Sequence, residues 1–117
     1  MPDTGRQYAV LILDSINDSF KSKCINLAGG WPLMIGRHID AETVPTDENG
    51  YFSSSVVSRR HAEIWKEAGT IWIQDLGSSN GTYINGVRLS EEGVNSIPFE
   101  LKTDDELIRY SLPAGRL

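Results

Sequence analysis

Residues 62–74 read AEIWKEAGTIWIQ, a pattern typical of a β-hairpin. β-Branched and aromatic residues dominate Ala62 to Lys66 and again Thr70 to Gln74, and a short turn-forming segment separates the two. We therefore predict two antiparallel strands, with Trp65 and Trp72 packed in the core or against each other across the strands. A peptide-stacking role for the tryptophans is the less favoured alternative.

Further short strands are predicted on both sides of this hairpin. Asn85-Gly86 lies between two apolar segments and is the strongest turn signal, because both central positions of the tightest hairpin turn need a positive φ. The other predicted strands are Tyr8 to Leu13, Lys23 to Leu27, Pro32 to Ile35, Thr82 to Ile84 and Val87 to Leu89. Many short strands with such turns indicate an all-β fold, either an antiparallel sandwich or a barrel.

The composition indicates one globular domain spanning residues 1–117. Eleven Lys and Arg residues against sixteen Asp and Glu residues give a net charge of −5, which would repel a phosphate backbone, so nucleic-acid binding is not expected. The single cysteine, Cys24, cannot form an internal disulfide, and its neighbours Ile25 and Leu27 predict a buried thiol in a reducing compartment. Residues 1–6 lack the apolar core of a signal peptide, and no apolar run could span a bilayer. We expect a cytoplasmic or nuclear domain that makes no direct membrane contact.

The segment from His38 to Ser55 interrupts the regular succession of strands. It contains Pro45, Asn49-Gly50, three consecutive serines and four acidic residues. A loop of this length in a compact domain is usually functional or mobile. We expect a long loop over 38–55, and the sequence leaves open whether it closes over a ligand or extends into solvent.

Three short polar motifs flank the predicted strands: Gly36-Arg37, Ser58-Arg59-Arg60-His61 and Ser78-Ser79-Asn80-Gly81-Thr82. In this order, and followed by Asn85-Gly86, they resemble the signature of forkhead-associated (FHA) domains over the segment Leu33 to Leu89. The resemblance implies a two-sheet antiparallel β-sandwich whose loops at one end bind phosphothreonine peptides. It also implies a protein-interaction module without catalytic residues, cofactor or metal.

The residue types in these motifs suit a phosphorylated ligand. A phosphothreonine carries close to two negative charges and three strong acceptor oxygens, so its reader needs guanidinium, hydroxyl and main-chain donors. By the resemblance, Arg37 and Ser58 bond the phosphate directly, Arg59 and Ser79 complete the phosphate site, and Asn80 binds the peptide main chain. Each of these residues alone could equally cap a strand or form a turn. Their combination, order and spacing favour binding.

Other motif residues are expected to support the site without touching the ligand. Gly36, Gly81 and Asn85-Gly86 suit turns or close approaches of the backbone, since no helix follows any of these glycines as a nucleotide-binding loop would require. By the resemblance, His61 braces the loop that carries Arg59.

Ser58 and His61 also suggest a different hypothesis, a nucleophile with its general base. The two residues are three positions apart at the start of a strand, so their contact is not assured, and no acidic third member is evident. We favour the structural role for His61. Arg60 adjoins Arg59, but neighbouring strand residues point to opposite faces, so we expect a solvated surface charge there.

The long interval between Arg37 and Ser58, together with the segment Ser58 to Trp65, resembles one branch of the family. That branch occurs in sarcolemmal membrane-associated protein and in fungal cytoplasm-to-vacuole-targeting and pheromone-arrest proteins. It implies the phosphopeptide-reading arm of a STRIPAK-type signalling scaffold, within a longer tail-anchored protein on the cytosolic face of an internal membrane. Val56 occupies a position where some members carry an arginine, which argues against a preference for an acidic residue after the phosphothreonine.

The C-terminus departs from the family pattern. After Phe99 to Leu101 the family continues into a last pair of strands, one of which lies beside the first strand, whereas 108–117 contains Pro113 and Gly115. We expect an atypical tail, an incomplete last strand and an unpaired edge on Tyr8 to Leu13, which would favour a homodimer. The fold would then be closed by a second copy, left ragged or truncated. The alternative function is a structural or oligomerisation domain that no longer reads phosphate.

Overall fold

The computed structural model describes residues 10–13, 23–26, 32–102, 106–109 and 114–116, and the regular elements within them are all β-strands. The strands are β1 (Val10–Leu13), β2 (Lys23–Asn26), β3 (Leu33–Arg37), β4 (Gly50–Phe52), β5 (Ala62–Glu67), β6 (Thr70–Asp75), β7 (Thr82–Ile84), β8 (Val87–Arg88), β9 (Phe99–Leu101), β10 (Glu106–Arg109) and β11 (Ala114–Arg116). No helix in this part of the chain is long and apolar enough to cross a membrane.

The strands form two sheets. A six-stranded sheet has the order β2-β1-β11-β10-β7-β8, and a five-stranded sheet has the order β4-β3-β5-β6-β9. Paired strands run antiparallel apart from β3 and β4, which are parallel. The predicted two-sheet β-sandwich is therefore confirmed.

The inner face of the five-stranded sheet contributes buried hydrophobic side chains to the core. The side chains of Ile35, Val57, Ala62, Ile64 and Ile73 are each 1% exposed or less. Strand β6 buries every second residue along its length, and β5 does so at Ala62 and Ile64, which is the period of a strand with one face on the core. Each fully buried branched side chain stabilises the fold by about 1.5–3 kcal/mol before its loss of conformational freedom is counted.

The hairpin predicted from residues 62–74 is confirmed as β5 and β6. Trp65 lies directly opposite Trp72 in the register, and both side chains are half-buried on the outer face of the sheet. The tryptophans therefore pack across the strands and not in the core. At the β7–β8 turn, Asn85 and Gly86 have φ values of 50° and 84°, as the predicted turn requires.

The expectation of one long loop over 38–55 is wrong for its C-terminal part. Residues Gly50–Phe52 form β4, which pairs in parallel with β3. Lys23 fixes this strand from the other sheet, because its Nζ donates to the carbonyl oxygens of Asn49 at 2.9 Å and Tyr51 at 2.5 Å. The ammonium group also lies 4.3 Å from the centre of the Phe52 ring. These contacts occupy the outer edge of β4, and Lys23 is only 4% exposed.

The expectations of an incomplete last strand and of an unpaired edge on the first strand are also wrong within the described residues. Residues 106–109 and 114–116 form β10 and β11, and β11 pairs with both β10 and β1. Strand β1 therefore lies between β2 and β11 and is not an unpaired edge. Pro113 and Gly115 suggested a broken strand, but Gly115 lies within β11, which begins at Ala114, and Pro113 is outside the described residues.

Cys24 is exposed, so the prediction of a buried thiol is wrong. Strand β2 alternates, with Lys23 and Ile25 buried and Cys24 and Asn26 exposed. Apolar neighbours in sequence lie on the opposite face of a strand, which is why they misled the prediction.

Candidate functional site

The three polar motifs lie at one end of the sandwich. Ile35 of β3 and Asp75 of β6 both lie opposite Ala62 of β5, so β3 ends, β5 begins and β6 ends along the same border. Strand β7 begins there too, because the Thr82 hydroxyl donates to Asp75 Oδ1 at 2.7 Å. The connecting loops at this border are residues 38–49, 53–61 and 76–81. We call this border the loop end.

His61 joins two of these loops. Its ring is fully buried, its Nδ1 accepts the main-chain N–H of Ser58 at 3.1 Å, and its Nε2 lies 2.9 Å from the carbonyl oxygen of Gly81. Because Nδ1 accepts a hydrogen bond and a carbonyl cannot donate one, the proton resides on Nε2 and the ring is neutral. His61 therefore holds the 53–61 loop against the 76–81 loop.

Ser58 and Ser79 are in direct contact across the same two loops. The Oγ atom of Ser58 accepts the main-chain N–H of Ser79 at 3.1 Å. Because the hydroxyl is the acceptor in this bond, its own proton can be donated to a ligand. The side-chain amide of Asn80 donates through Nδ2 to the carbonyl oxygen of Val56 at 2.9 Å, and the amide oxygen lies outside this bond.

Three arginines lie at the loop end. Arg37, the last residue of β3, is half-buried, while Arg59 and Arg60 are exposed. Within the described part of the chain, none of these three guanidinium groups has a hydrogen-bond or ion-pair partner. They form a basic island in a domain whose net charge is −5.

Two glycines allow the loops to approach this closely. A Cβ atom on Gly36 would overlap the carbonyl oxygen of Arg59, so no side chain fits at that position. Gly81 has a φ of 90°, and a Cβ atom there would lie 2.8 Å from Nε of Arg88. Arg88 in turn donates through Nη2 to the carbonyl oxygen of Ser79 at 3.3 Å.

Asp75 organises the 76–81 loop, and the sequence analysis did not single it out. It is 1% exposed. Its Oδ2 accepts the main-chain N–H groups of Gly77 and Ser78, each at 2.9 Å, and the hydroxyl of Ser90 at 3.2 Å. Its Oδ1 accepts the hydroxyls of Ser78 at 2.5 Å and Thr82 at 2.7 Å. The available signal was an aspartate at the end of a strand, followed by glycine and several hydroxyl residues, as in an Asx turn.

The structure thus brings some predicted site residues together and leaves others apart. Ser58 and Ser79 share a hydrogen bond, and Gly36 packs on the main chain of Arg59, whereas Arg37 forms no hydrogen bond to any described residue. The nucleophile hypothesis fails on geometry, because Nδ1 of His61 faces the main-chain nitrogen of Ser58 and not its hydroxyl. Hydroxyl, amide and guanidinium donors around one border suit the binding of an anion.

No cluster of acidic, histidine or cysteine side chains suited to a metal ion occurs among the described residues.

Comparison with known proteins identifies relatives of this chain. The FHA domain model matches residues 33–108. Sarcolemmal membrane-associated protein from Homo sapiens is 41% identical over 76 residues, which cover 63% of this chain and 9% of that protein. Vacuolar protein sorting-associated protein 64 from Saccharomyces cerevisiae is 34% identical over 114 residues, which cover 82% of this chain and 18% of that protein. The chain spans about a third or less of the length of the curated relatives it first matches.

The fold also matches solved structures. One, from a structural and functional analysis of phosphothreonine-dependent FHA domain interactions, superposes with a TM-score of 0.60 and 21% sequence identity. The match covers 93% of this chain and 97% of that chain. At this identity the likeness shows the fold.

Proposed function

The chain belongs to the FHA domain family, and from that premise we propose that it binds proteins and peptides that carry a phosphorylated threonine. FHA domains are interaction modules, so the mechanism is equilibrium recognition in which no covalent bond is made or broken. The observation that carries the proposal is the basic island of Arg37, Arg59 and Arg60, whose guanidinium groups have no partner among the described residues. It lies at the same end of the sandwich as the Ser58–Ser79 contact.

In this mechanism Arg37 and Ser58 bond the phosphate directly. A guanidinium without an internal partner can offer two parallel N–H groups to phosphate oxygens, and such charge-assisted bonds are about twice as strong as neutral ones. The Ser58 hydroxyl accepts from Ser79 and so has its proton to donate to a third oxygen. Arg59 and Ser79 complete the phosphate site.

Asn80 binds the main chain of the peptide beside the phosphothreonine. Its Nδ2 is held by the carbonyl oxygen of Val56, which fixes the side-chain orientation before any ligand arrives. The amide oxygen then accepts a peptide N–H, which orients the ligand without reading its side chains. Pre-ordering of this kind lowers the entropic cost of binding.

The charge distribution explains why the phosphate is needed. A net charge of −5 repels anions over most of the surface, whereas the loop end brings together Arg37, Arg59 and Arg60, which have no partner among the described residues. An unphosphorylated threonine offers neither the charge nor the acceptor oxygens that these groups require. We expect dissociation constants on the order of micromolar, about −8 kcal/mol, for phosphothreonine peptides.

The domain acts within a longer protein in this proposal. The branch resemblance implies a fungal-type signalling scaffold of the STRIPAK class, and the likeness to sarcolemmal membrane-associated protein and to the yeast vacuolar sorting protein supports membership of that branch. Its place would be the cytoplasm, including the cytosolic face of an internal membrane, or the nucleus. Affinity purification of the full-length protein, with and without phosphatase treatment of the lysate, tests this assignment. Phosphatase and kinase scaffold subunits should be recovered only from the untreated lysate, and their absence from both would contradict it.

The alternative, a structural or oligomerisation domain, was suggested by an expected unpaired edge on the first strand. That edge is not present, since β1 is paired on both sides.

The proposed function is tested by fluorescence anisotropy with a library of phosphothreonine peptides, each measured beside its unphosphorylated and phosphoserine forms. Binding should depend on the phosphate. If no member of the library binds in a phosphate-dependent manner, the proposal is wrong.

A further inference from the structure

The first half of the 38–49 loop is held in a closed turn by two side chains. The Thr43 hydroxyl oxygen accepts the main-chain N–H groups of Ile39 at 2.8 Å and Asp40 at 3.0 Å. Asp40 Oδ1 accepts the N–H groups of Glu42 at 2.9 Å and Thr43 at 3.1 Å. The backbone from 39 to 43 is therefore fixed by local side-chain bonds, as in an Asx turn.

The second half of the loop is fixed by Asn49. Its Oδ1 accepts the N–H groups of Thr46 at 3.0 Å and Tyr51 at 3.1 Å, and its Nδ2 donates to the carbonyl oxygen of Val44 at 2.9 Å. The Asn49 carbonyl is held by Lys23. The loop thus presents its side chains from a defined backbone.

Two apolar side chains project from this ordered loop. Ile39 is 54% exposed and Val44 is 46% exposed. The hydrogen bonds that order this loop do not require an apolar side chain at either position. They lie on either side of the turn that Thr43 closes, because the Thr43 hydroxyl binds the N–H of Ile39 and Val44 follows Thr43. Exposed apolar groups on a rigid loop beside a binding site are available to a ligand at little cost in ordering.

Their position relative to the basic island is set by the chain. Ile39 lies two residues after Arg37, so their Cα atoms are at most about 7 Å apart. An extended peptide advances about 3.3 Å per residue, so a side chain within about four residues of a phosphothreonine held by Arg37 can reach Ile39 and Val44.

The charges on the rest of the loop determine which ligand side chains bind favourably next to Ile39 and Val44. Its four acidic residues, Asp40, Glu42, Asp47 and Glu48, are all exposed. A carboxylate on the ligand would approach these like charges and would also lose solvation against the apolar pair. An apolar side chain meets neither cost.

We propose that Ile39 and Val44 form a subsite for an apolar side chain of the phosphothreonine peptide, and that acidic side chains are disfavoured at the same ligand position. The subsite rests on the proposed function, since it selects among phosphothreonine peptides. According to the proposal, the 38–49 loop selects among ligand peptides by the residues around their phosphothreonine.

The test is a panel of phosphothreonine peptides on an alanine and glycine background, in which Leu, Ser or Glu replaces each residue within four positions of the phosphothreonine. One position should favour Leu over Ser by about three- to tenfold, the scale expected for covering half-exposed apolar groups, and should rank Glu last. Every peptide is also measured without its phosphate.

A variant pair links the preference to the loop. The double variant Ile39→Ser/Val44→Ser should reduce the Leu preference to less than about twofold while keeping phosphate-dependent binding of the serine peptide. Val87→Ser is the matched control, because Val87 is 65% exposed but follows the Asn85-Gly86 turn at the opposite end of β7. It should leave the preference unchanged.

The possible failures are distinguishable. Phosphate-dependent binding without a Leu preference, or with a preference that survives in the double variant, overturns the subsite and leaves the proposed function standing. Absence of phosphate dependence throughout the panel overturns both.

Discussion

The Nε2 atom of His61 lies 2.9 Å from the carbonyl oxygen of Gly81, and this buried bond joins the 53–61 loop to the 76–81 loop. The same ring accepts the main-chain N–H of Ser58, so a single neutral side chain fixes both walls of the candidate site. The rigidity of the site therefore depends on a residue that does not need to touch the ligand.

His61→Phe is expected to lower the free energy of unfolding by about 2–4 kcal/mol. The ring keeps most of its packing, but the Ser58 N–H and the Gly81 carbonyl lose a buried partner, and each unpaired group costs about 1–3 kcal/mol. Urea denaturation followed by fluorescence measures the change. Arg60→Ala, at an exposed position without a described partner, should stay within about 0.5 kcal/mol of the parent. A Phe variant as stable as the parent would contradict this account.

Asp75→Asn is expected to destabilise the fold by about 2–4 kcal/mol, although it changes only one atom. Both carboxylate oxygens accept hydrogen bonds, so an amide nitrogen in place of either oxygen would face groups that are themselves hydrogen-bond donors. Hydroxyl groups can rotate to accept, whereas the Gly77 and Ser78 N–H groups cannot, so the amide should turn its nitrogen toward Ser78 Oγ and Thr82 Oγ1. Thermal unfolding measures the loss, and an unchanged midpoint would show that the five bonds contribute little.

Gly36→Ala and Gly86→Ala separate steric from conformational roles of glycine. At Gly36 the added methyl overlaps the Arg59 carbonyl, so the loop that carries Arg59 must move. At Gly86 nothing lies within 4 Å of the added methyl, and only the positive φ of 84° opposes it, at a cost of about 1–2 kcal/mol. We expect Gly36→Ala to weaken phosphopeptide binding at least tenfold, and Gly86→Ala to lower stability without changing affinity. Equal affinities for the two variants would refute the distinction.

Local patterns predicted the local parts of this fold. The alternation in Ala62 to Gln74 and the Asn85-Gly86 dipeptide each specify a hairpin through neighbours in sequence, and both hairpins are present. Strand β4 was missed because its three residues follow a polar loop and pair in parallel with β3, an arrangement that no local period encodes.

The burial of charged residues is the second feature of the fold that could not be predicted from the sequence. Lys23 and Asp75 are charged residue types, which are usually exposed, and both are nevertheless less than 5% exposed. Their burial follows from partners 26 and 28 residues away for Lys23, and from a ring of local donors for Asp75. Only the folded arrangement shows that these partners converge.

Lys23→Met tests how β4 and the 38–49 loop are held. Methionine fills a similar volume but cannot donate to the Asn49 and Tyr51 carbonyls, nor place a cation over the Phe52 ring. We expect a loss of about 1–3 kcal/mol and faster amide hydrogen exchange at Thr46 and Tyr51. Lys66→Met is the matched control, since Lys66 is exposed. Unchanged exchange at both amides in the Lys23 variant would mean that the loop does not depend on this lysine.

Arg37→Ala is the decisive variant for ligand binding. Arg37 has no partner within the described part of the chain, so its removal should change the free energy of unfolding by less than about 0.5 kcal/mol. Loss of a bidentate guanidinium–phosphate contact should nevertheless weaken phosphothreonine peptide binding about 100-fold or more, equivalent to about 2.7 kcal/mol. Arg37→Lys keeps the charge without the planar fork and should fall between the two. Anisotropy titrations of these variants, each checked by thermal unfolding, measure the effect, and Lys66→Ala serves as the control because Lys66 is exposed and lies away from the loop end. A folded Arg37→Ala protein that bound as tightly as the parent would contradict the assignment.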